Sequence, residues 1–267
     1  MYIITIISDW LHCDYYLPKL MGGLHSLPNE IRMVDLSHSS TPFNIPQACF
    51  VLKNSYKSFP EGSVHLLAVN SEPEPEALMV VVQYDGHWFV GPNDGRFSLL
   101  LDYGKDVPTA TAYVLPLPGL FSTFMACGLF IKAVALITEN KVEQELEKVP
   151  LKMVGNDVPV IMEDRVVGRV VYIDSYGNAI TNISRETFAR GYINWKANNE
   201  HDPDFIIYVQ GPYLKITTIH DCYTDVQNGC TVALFNSVGL LELAIHNGNF
   251  AQVENIDTTA EVMIKFS

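Results

Sequence analysis

The stretch VVYIDSYGNAITNI, residues 170–183, decides how the second half of the chain folds. It begins with β-branched and aromatic residues typical of a strand, passes through a short polar turn, and returns to strand-forming residues. Such a unit presents polar side chains at the end of a β scaffold. Asp174, Tyr176 and Asn178 are therefore candidate ligand-binding residues, although the same pattern also fits an ordinary hairpin turn.

The β pattern continues on both sides of this stretch, whereas the helical pattern stops near Pro150. Many short strands punctuated by Gly, Asn and Pro are typical of a barrel or a sandwich. We therefore expect a second domain over residues 153–267 that is all-β and barrel-like. Its candidate strands are 166–174, 179–183, 205–209, 214–218, 231–235 and 261–266.

The first half of the chain alternates strands with helices, which predicts a parallel sheet with helices on its faces. Asn44 is the expected N-cap of the second helix. We expect an α/β domain with a mostly parallel central sheet over residues 1–152. Its candidate strands are 2–7, 31–36, 64–69, 78–84, 88–90 and 111–115, and its candidate helices are 14–27, 44–59, a short helix through 101, and 121–138.

Polar residues follow the first three predicted strands. Asp9 comes after the first, Ser37 and His38 after the second, and Asn70 and Ser71 after the third. In open α/β sheets the ligand crevice lies outside the carboxyl ends of the strands. Asp9 is therefore the best single candidate in this half, with a helix cap or a turn former as the alternative.

Two further polar turns lie near the end of the chain. FNSVG, residues 235–239, follows a predicted strand, and IHNGN, residues 245–249, comes shortly after it. Both offer backbone amides and small polar groups to a ligand, and each also fits an ordinary loop.

Composition and missing motifs exclude several classes of protein. A net charge of −13 over 267 residues leaves no basic surface for nucleic acid or an anionic membrane. An odd number of widely spaced cysteines predicts reduced thiols and a cytoplasmic protein, and neither a signal peptide nor a membrane span is expected. The absence of GxGxxG, GxxxxGK[ST], GxSxG and HExxH motifs disfavours common cofactor, nucleotide and hydrolase sites. No Cys/His cluster has metal-binding spacing, so no metal site is predicted.

Six stretches in order resemble the S-adenosylmethionine hydroxide adenosyltransferase family, which also contains fluorinases and chlorinases. They are SDWLHCD, VDLSHSSTPFNIPQACFVL, FPEGSVHLLAVN, FVGPNDG, YIDSYGNAITNI and VALFNSVGLLELAIHNG. The resemblance implies an α/β domain followed by a β-barrel, and a homotrimer whose ligand lies between neighbouring subunits. It also implies nucleophilic displacement at the 5′ carbon of S-adenosylmethionine, with methionine as leaving group and without metal or cofactor.

The resemblance also assigns binding roles. Asp9 would hold the ribose hydroxyls, and Phe43 would pack against the ribose and the sulfonium. Asp174 would bind the methionine ammonium, Tyr176 would stack on adenine, and Asn178 would pair with the purine edge. Three further positions complete the implied set: Tyr223 beside the adenine, Ser237 at the methionine carboxylate, and the backbone of Asn247 at the purine.

The catalytic positions depart from the family pattern. Water-using members resemble one another in an Asp after the third strand, an Arg soon after it, and a later His. Here Asn70 stands at the acid position, its loop has no arginine, and Met125 stands at the histidine position. Leu11 replaces a glycine. Neither an amide nor a thioether is a general base. Asn70 could still orient a water molecule, and it is the one catalytic candidate. Three hydroxyl residues are further possible water ligands: Ser71, Ser122 and Thr123.

Three functions remain open. The first is hydrolysis of S-adenosylmethionine to adenosine and L-methionine through a rearranged pocket. The second is non-catalytic binding of S-adenosylmethionine or adenosine, and the third is use of a halide, which needs no base. The acidic loop of residues 72–76 disfavours an anionic nucleophile if it lies near the pocket.

Overall fold

The computed structural model describes residues 1–102, 109–117, 123–155 and 158–267. It divides into two compact units, Met1–Asn156 and Asp157–Ser267, and each is considered separately. None of the helices in these described ranges is both long enough and apolar enough to cross a membrane. All five cysteines are free thiols.

The first unit is built on a seven-stranded sheet in the order β2-β1-β3-β5-β4-β6-β7. Its strands are β1 (Tyr2–Ser8), β2 (Ile31–Ser37), β3 (Val64–Ala68), β4 (Met79–Tyr84), β5 (His87–Pro92), β6 (Thr111–Val114) and β7 (Glu147–Val149). Its helices are α1 (Tyr16–His25), α2 (Ile45–Lys53), α3 (Arg96–Leu100), α4 (Met125–Thr138) and α5 (Val142–Glu145).

Four neighbouring strands of this sheet are parallel, and the others are antiparallel. β1 pairs in parallel with β2 and β3, and β3 pairs in parallel with β5. β4, β6 and β7 then extend the sheet with antiparallel pairs. The expected α/β fold is confirmed. Because the carboxyl ends of parallel strands meet at one edge, the residues that follow β1, β2 and β3 are brought together.

The helix predicted over 44–59 has the expected start but ends early. Asn44 is its N-cap, and the side-chain Oδ1 accepts a hydrogen bond of 3.1 Å from Gln47 N. The helix ends at Lys53 because the next two side chains bond back to the turn before them. Asn54 Nδ2 donates to the carbonyl of residue 50, and Ser55 Oγ donates to that of residue 51.

Helix α4 begins later than the predicted residue 121. Phe124 precedes its first residue and has a left-handed backbone, with φ of 62°. A right-handed helix cannot run through such a residue, so Phe124 fixes the start at Met125. Residues 121 and 122 lie outside the described ranges.

The second unit is one nine-stranded sheet in the order β12-β11-β16-β9-β10-β15-β14-β13, with β8 paired to β9. This confirms the expected barrel-like β fold. Its strands are β8 (Val160–Ile161), β9 (Arg165–Ile173), β10 (Ala179–Ser184), β11 (Phe205–Val209), β12 (Leu214–Ile216), β13 (Ile219–His220), β14 (Thr231–Phe235), β15 (Leu240–Ile245) and β16 (Glu261–Phe266). Two helices accompany them, α6 (Arg185–Lys196) and α7 (Phe250–Val253).

Helix α6 is the main departure from the predicted elements, because the helical pattern was expected to stop near Pro150. Ser184 caps it, with Oγ accepting 3.0 Å from Thr187 N. Gly191 sits inside it, where a Cβ atom would approach Val166 Cγ2 to 2.5 Å. Glycine therefore weakens the helical sequence pattern but lets the helix pack directly on the sheet.

Candidate functional site

The carboxylate of Asp9 joins the segments that follow three strands of the first unit. Its Oδ2 accepts hydrogen bonds from Phe43 N, at 3.0 Å, and from Asn70 N, at 3.1 Å. Asp9 follows β1, Phe43 lies in the segment after β2, and Asn70 follows β3. Within the described part of the chain, Oδ1 receives no hydrogen bond. The carboxylate is therefore fixed in orientation and keeps one oxygen for a ligand donor.

Both residues that donate to Asp9 have left-handed backbones, with φ of 65° for Phe43 and 43° for Asn70. For an asparagine this is common, but for a bulky aromatic residue it costs roughly 1–2 kcal/mol. Phe43 is nevertheless 73% exposed. A strained backbone that holds an apolar ring in solvent is typical of a ligand-binding position.

Arg96 holds the end of β3 and was not identified from the sequence. Its Nη1 donates to the carbonyls of Leu67, at 3.1 Å, and Val69, at 3.0 Å. Its Nη2 donates to the carbonyl of Asn70 and to Asp94 Oδ2, and its Nε donates to Asp94 Oδ1. All five N–H groups of this buried guanidinium are thus used inside the protein. Arg96 positions Asn70 and has no donor left for a ligand.

The ion pair also sets the charge state of Asp94. Burial by itself would raise the pKa of this carboxyl group, but the hydrogen bonds and charge of Arg96 hold the pKa below its ordinary value. The pair therefore stays charged at neutral pH, as a buried arginine requires.

The N-terminus of α4 lies beside the same region. Glu72 places its carboxylate there, accepting from Met125 N at 3.0 Å and from Ala126 N at 3.4 Å. The Trp10 ring, next to Asp9, packs edge-on against Phe124 with centroids 4.9 Å apart. A carboxylate at a helix N-terminus interacts favourably with the helix dipole. The structure therefore puts an acid next to Met125, where the resemblance implied a histidine.

The water-orienting candidates differ in accessibility. Asn70 is exposed, Ser71 is buried and Thr123 is exposed. Ser122 lies outside the described residues. Of the three candidates within the described residues, Asn70 is the one that also contacts Asp9.

In the second unit, Asp174 organises the turn between β9 and β10. Its Oδ1 accepts from Tyr176 N and Asn178 N, both at 2.9 Å, and its Oδ2 accepts from Asn178 Nδ2 at 3.0 Å. Gly177 has φ of 83°, and a Cβ there would lie 2.1 Å from Asn249 Oδ1. Only glycine fits this position. The turn leaves Tyr176 76% exposed and Asn178 buried.

The turn after β15 packs against this one. Ala251 N donates to the carbonyl of Gly177 at 2.9 Å. Asn247, in the same turn, has φ of 56° and donates through Nδ2 to Asn228. The structure thus brings Asn247 to the same end of the sheet as Asp174. Ser237 lies in the hairpin before β15, at the opposite end of that strand, whose six residues span roughly 17 Å at about 3.4 Å per residue.

Tyr223 contacts Glu242, a buried acid within β15. Its hydroxyl donates to Glu242 Oε1, and Asn236 Nδ2 donates to Glu242 Oε2 at 3.1 Å. Burial, followed by the bond to Glu242, raises the pKa of Tyr223. The phenol therefore stays protonated at neutral pH, and the residue, which is 40% exposed, remains partly accessible.

A group of potential metal ligands lies beside Ser8, the residue before Asp9. His12, Asp35 and His38 each offer one ligand atom within 4.8 Å of the others. Sequence spacing gave no sign of it, because His12 is far from the other two along the chain. The fold brings them together where β1 and β2 end.

Comparisons with known proteins agree with this architecture. A protein of Methanocaldococcus jannaschii named (R)-S-adenosyl-L-methionine hydrolase is 24% identical, over 98% of this chain and 95% of its own. A protein of Thermus thermophilus with the same name is 28% identical, over 92% of each chain. A Nocardia brasiliensis fluorinase is 20% identical, over 98% and 96%. The crystal structure of an uncharacterised conserved Thermotoga maritima protein has the same fold, with a TM-score of 0.81, 20% identity and coverage of 98% and 99%.

The sequence profiles of one family cover most of the chain. The profile of the SAM hydroxide adenosyltransferase N-terminal domain matches residues 4–147, and that of the C-terminal domain matches residues 168–263. The first match contains Asp9, Phe43 and Asn70, and the second contains Asp174 and Asn247. The chain therefore belongs to the SAM hydroxide adenosyltransferase family.

Proposed function

We propose that this protein cleaves S-adenosylmethionine by displacement at the 5′ carbon, with water as nucleophile and adenosine and L-methionine as products. The observation that carries the proposal is the Asp9 carboxylate, held by Phe43 N and Asn70 N with one oxygen available to ribose hydroxyls. The names of two relatives, (R)-S-adenosyl-L-methionine hydrolase, support the choice of reaction.

The substrate itself supplies most of the activation. The water oxygen forms a bond to C5′, and the C5′–S bond breaks with its electron pair going to sulfur, which neutralises the sulfonium. One proton leaves the attacking water. The protein has to position the two reactants and accept that proton, and positioning alone contributes several kcal/mol. No metal or cofactor takes part in this scheme.

In this proposal Asn70 and Glu72 act on the attacking water in two different ways. Asn70 orients the water through its exposed amide, since an amide cannot take up a proton. Glu72, two residues later, supplies the nearby carboxylate that can accept it. This places the base function on a different residue from the expected acid position.

The binding residues of the second unit keep their proposed roles. Asp174 binds the ammonium, Tyr176 stacks on adenine and Asn178 meets the purine edge. Asp174 also fixes its own turn through three hydrogen bonds, so the ammonium would meet a carboxylate that is already oriented. Three other residues complete the proposed set, namely Tyr223, Ser237 and Asn247.

Two alternatives have a specific observation behind them. Non-catalytic binding is favoured by the Asn70 and Met125 positions, because loss of general-base help costs about 10²–10⁴-fold in rate. Halide use is suggested by the fluorinase similarity. A halide is disfavoured near α4, because Glu72 already occupies the helix N-terminus with negative charge.

The testing experiment is incubation of the purified protein with S-adenosylmethionine, with and without chloride, followed by mass spectrometry of the products. Adenosine and methionine above a no-protein control are expected. Asn70→Ala and Glu72→Gln should each lower turnover while leaving ligand affinity nearly unchanged, with Glu76→Gln as the control in the same loop. A chlorinated nucleoside would point to halide use, and tight binding without turnover would point to a binding protein.

We also propose a cytoplasmic homotrimer with sites shared between subunits. Five free thiols are consistent with a reducing compartment. Exposed apolar side chains on the second unit are consistent with a further subunit interface.

A further inference from the structure

His12, Asp35 and His38 form a group of ligand-type side chains outside the nucleoside-binding residues. One nitrogen from each histidine and one carboxylate oxygen all lie within 4.8 Å of one another. Two of the side chains, His12 and Asp35, are exposed, and His38 is buried. The two imidazole rings meet edge to face, with centroids 4.8 Å apart.

The contacts of His38 leave its Nε2 facing the Asp35 carboxylate without an aligned hydrogen bond. Nδ1 lies 2.6 Å from Ser8 Oγ, and that hydroxyl has the Trp10 carbonyl as its own acceptor. Nδ1 is therefore engaged by Ser8 Oγ. Nε2 has no contact with Ser8, and Asp35 Oδ1 lies 3.1 Å from it. A positive charge between this nitrogen and the carboxylate, supplied by a proton or by a metal ion, stabilises such a close approach.

Two further facts agree with this. Among the described residues, Nε2 of His38 is the buried side-chain polar atom that has no hydrogen-bond partner. Its contact with Asp35 is close but is not aligned as a hydrogen bond. A histidine held by a hydrogen bond at one nitrogen, with the other nitrogen exposed to a carboxylate, has the arrangement of a metal ligand with its supporting residue.

We propose that His12, Asp35 and His38 bind one divalent transition-metal ion. Two imidazoles and one carboxylate suit Zn²⁺ and its neighbours, and three protein ligands leave one position for water. Bonds of about 2.0–2.2 Å place ligand atoms roughly 3.4 Å apart in a tetrahedral site. The ligand atoms of His38 and Asp35 already meet this spacing. Rotation of the exposed His12 side chain would bring its ring nitrogen to the same distance from both.

The metal would tie the turn after β1 to the end of β2. Ser8, which supports His38, is the residue before Asp9, so a bound ion would hold the segment that carries the nucleoside-binding carboxylate. The role is structural, and no step of the displacement passes through the ion. The site is therefore independent of the proposed reaction.

The test uses the full chain without a polyhistidine tag, with Zn²⁺ as the probe. Calorimetry and metal analysis after dialysis should give about one Zn²⁺ per chain, and Co²⁺ in its place should give the visible absorption of a four-coordinate site. His12→Ala should weaken binding at least tenfold. Ser8→Ala should weaken it about 10–100-fold, as loss of a supporting hydrogen bond does.

His25→Ala, an exposed histidine on α1, is the matched control and should bind like the unmodified chain. Because His12 is exposed, its replacement should leave the fold intact, which circular dichroism checks. Absence of stoichiometric Zn²⁺, or equal affinity in His12→Ala, would overturn the proposal. Loss of nucleoside binding alone would not affect it, since metal content is measured without nucleoside.

Discussion

At the scale of single residues, Asp9 has two functions that one substitution can separate. Its Oδ2 holds two backbone N–H groups, and its Oδ1 is assigned to the ligand. Asparagine keeps an acceptor for the backbone but loses the charge that strengthens bonds to ribose hydroxyls. Alanine loses both.

We expect Asp9→Asn to weaken adenosine binding about 10–100-fold with little change in melting temperature. Asp9→Ala should abolish binding and also lower the melting temperature. Calorimetry and a thermal melt measure the two effects. Glu30→Gln, an exposed acid before β2, is the control, and unchanged affinity in Asp9→Ala would remove Asp9 from the site.

The sequence predicted part of this arrangement for a clear reason. Residues after adjacent parallel strands meet at one sheet edge, so the nearness of Asp9 to Asn70 follows from element order alone. The Arg96 contacts do not, because they join backbone carbonyls at and just after the end of β3 to a residue 26 to 29 positions later. The sequence NDGR after a strand was the available clue, since an acid two residues before an arginine can form such a pair.

At the scale of elements, Arg96 holds β3, α3 and the Asn70 turn together. Lysine keeps the charge but cannot match five N–H donors in a planar fork. We expect Arg96→Lys to destabilise the first unit by about 2–4 kcal/mol, since buried carbonyls and Asp94 lose their partners. Urea unfolding measures this. Arg190 is an exposed arginine on α6, and Arg190→Lys should change the free energy of unfolding little. Equal stability of the two variants would contradict the structural role assigned to Arg96.

Two of the elements that escaped prediction, β15 and α6, share one cause. β15, with sequence LLELAI, is buried along most of its length, so it lacks the alternation that marks a half-buried strand. Its acid, Glu242, looks like a surface residue but is buried between Tyr223 and Asn236. Helix α6 has a glycine where close packing requires one. In both cases tertiary contacts stabilise a secondary structure that the local sequence does not favour.

At the scale of the whole molecule, stability should depend on a buried histidine. His65 lies inside the sheet, with Nδ1 2.7 Å from Thr5 Oγ1 and Nε2 3.1 Å from His87 Nδ1. Burial, followed by the charge of His87, lowers the pKa of His65 to about 3. The unfolded chain takes up this proton near the ordinary value of about 6.5, while the folded chain does not.

Stability should therefore fall as pH decreases from about 6.5 towards 3. For His65 the loss between pH 7 and pH 5 is about 2 kcal/mol. Urea unfolding at both pH values measures it, and His65→Gln should have the smaller pH dependence. His25→Gln, on an exposed histidine, serves as control. An unchanged pH dependence in His65→Gln would show that this histidine is not responsible.

The proposed trimer predicts a mass of about 90 kDa by light scattering, three times the chain mass of 29.9 kDa. Three apolar side chains around β8 are 69%, 52% and 47% exposed, and burial against another copy would remove them from water. They are Val158, Val160 and Met162. Replacing Val160 with aspartate should shift the mass towards the monomer, whereas a monomeric unmodified chain would contradict shared sites.

The left-handed backbone at Phe43 also affects how this protein would respond to laboratory evolution. Glycine at that position would relieve roughly 1–2 kcal/mol of backbone strain, so selection for heat resistance alone would favour the loss of the aromatic ring. Selection for nucleoside use would retain it. Sequencing the variants that survive each of the two selections would show whether function retains this ring at a cost in stability.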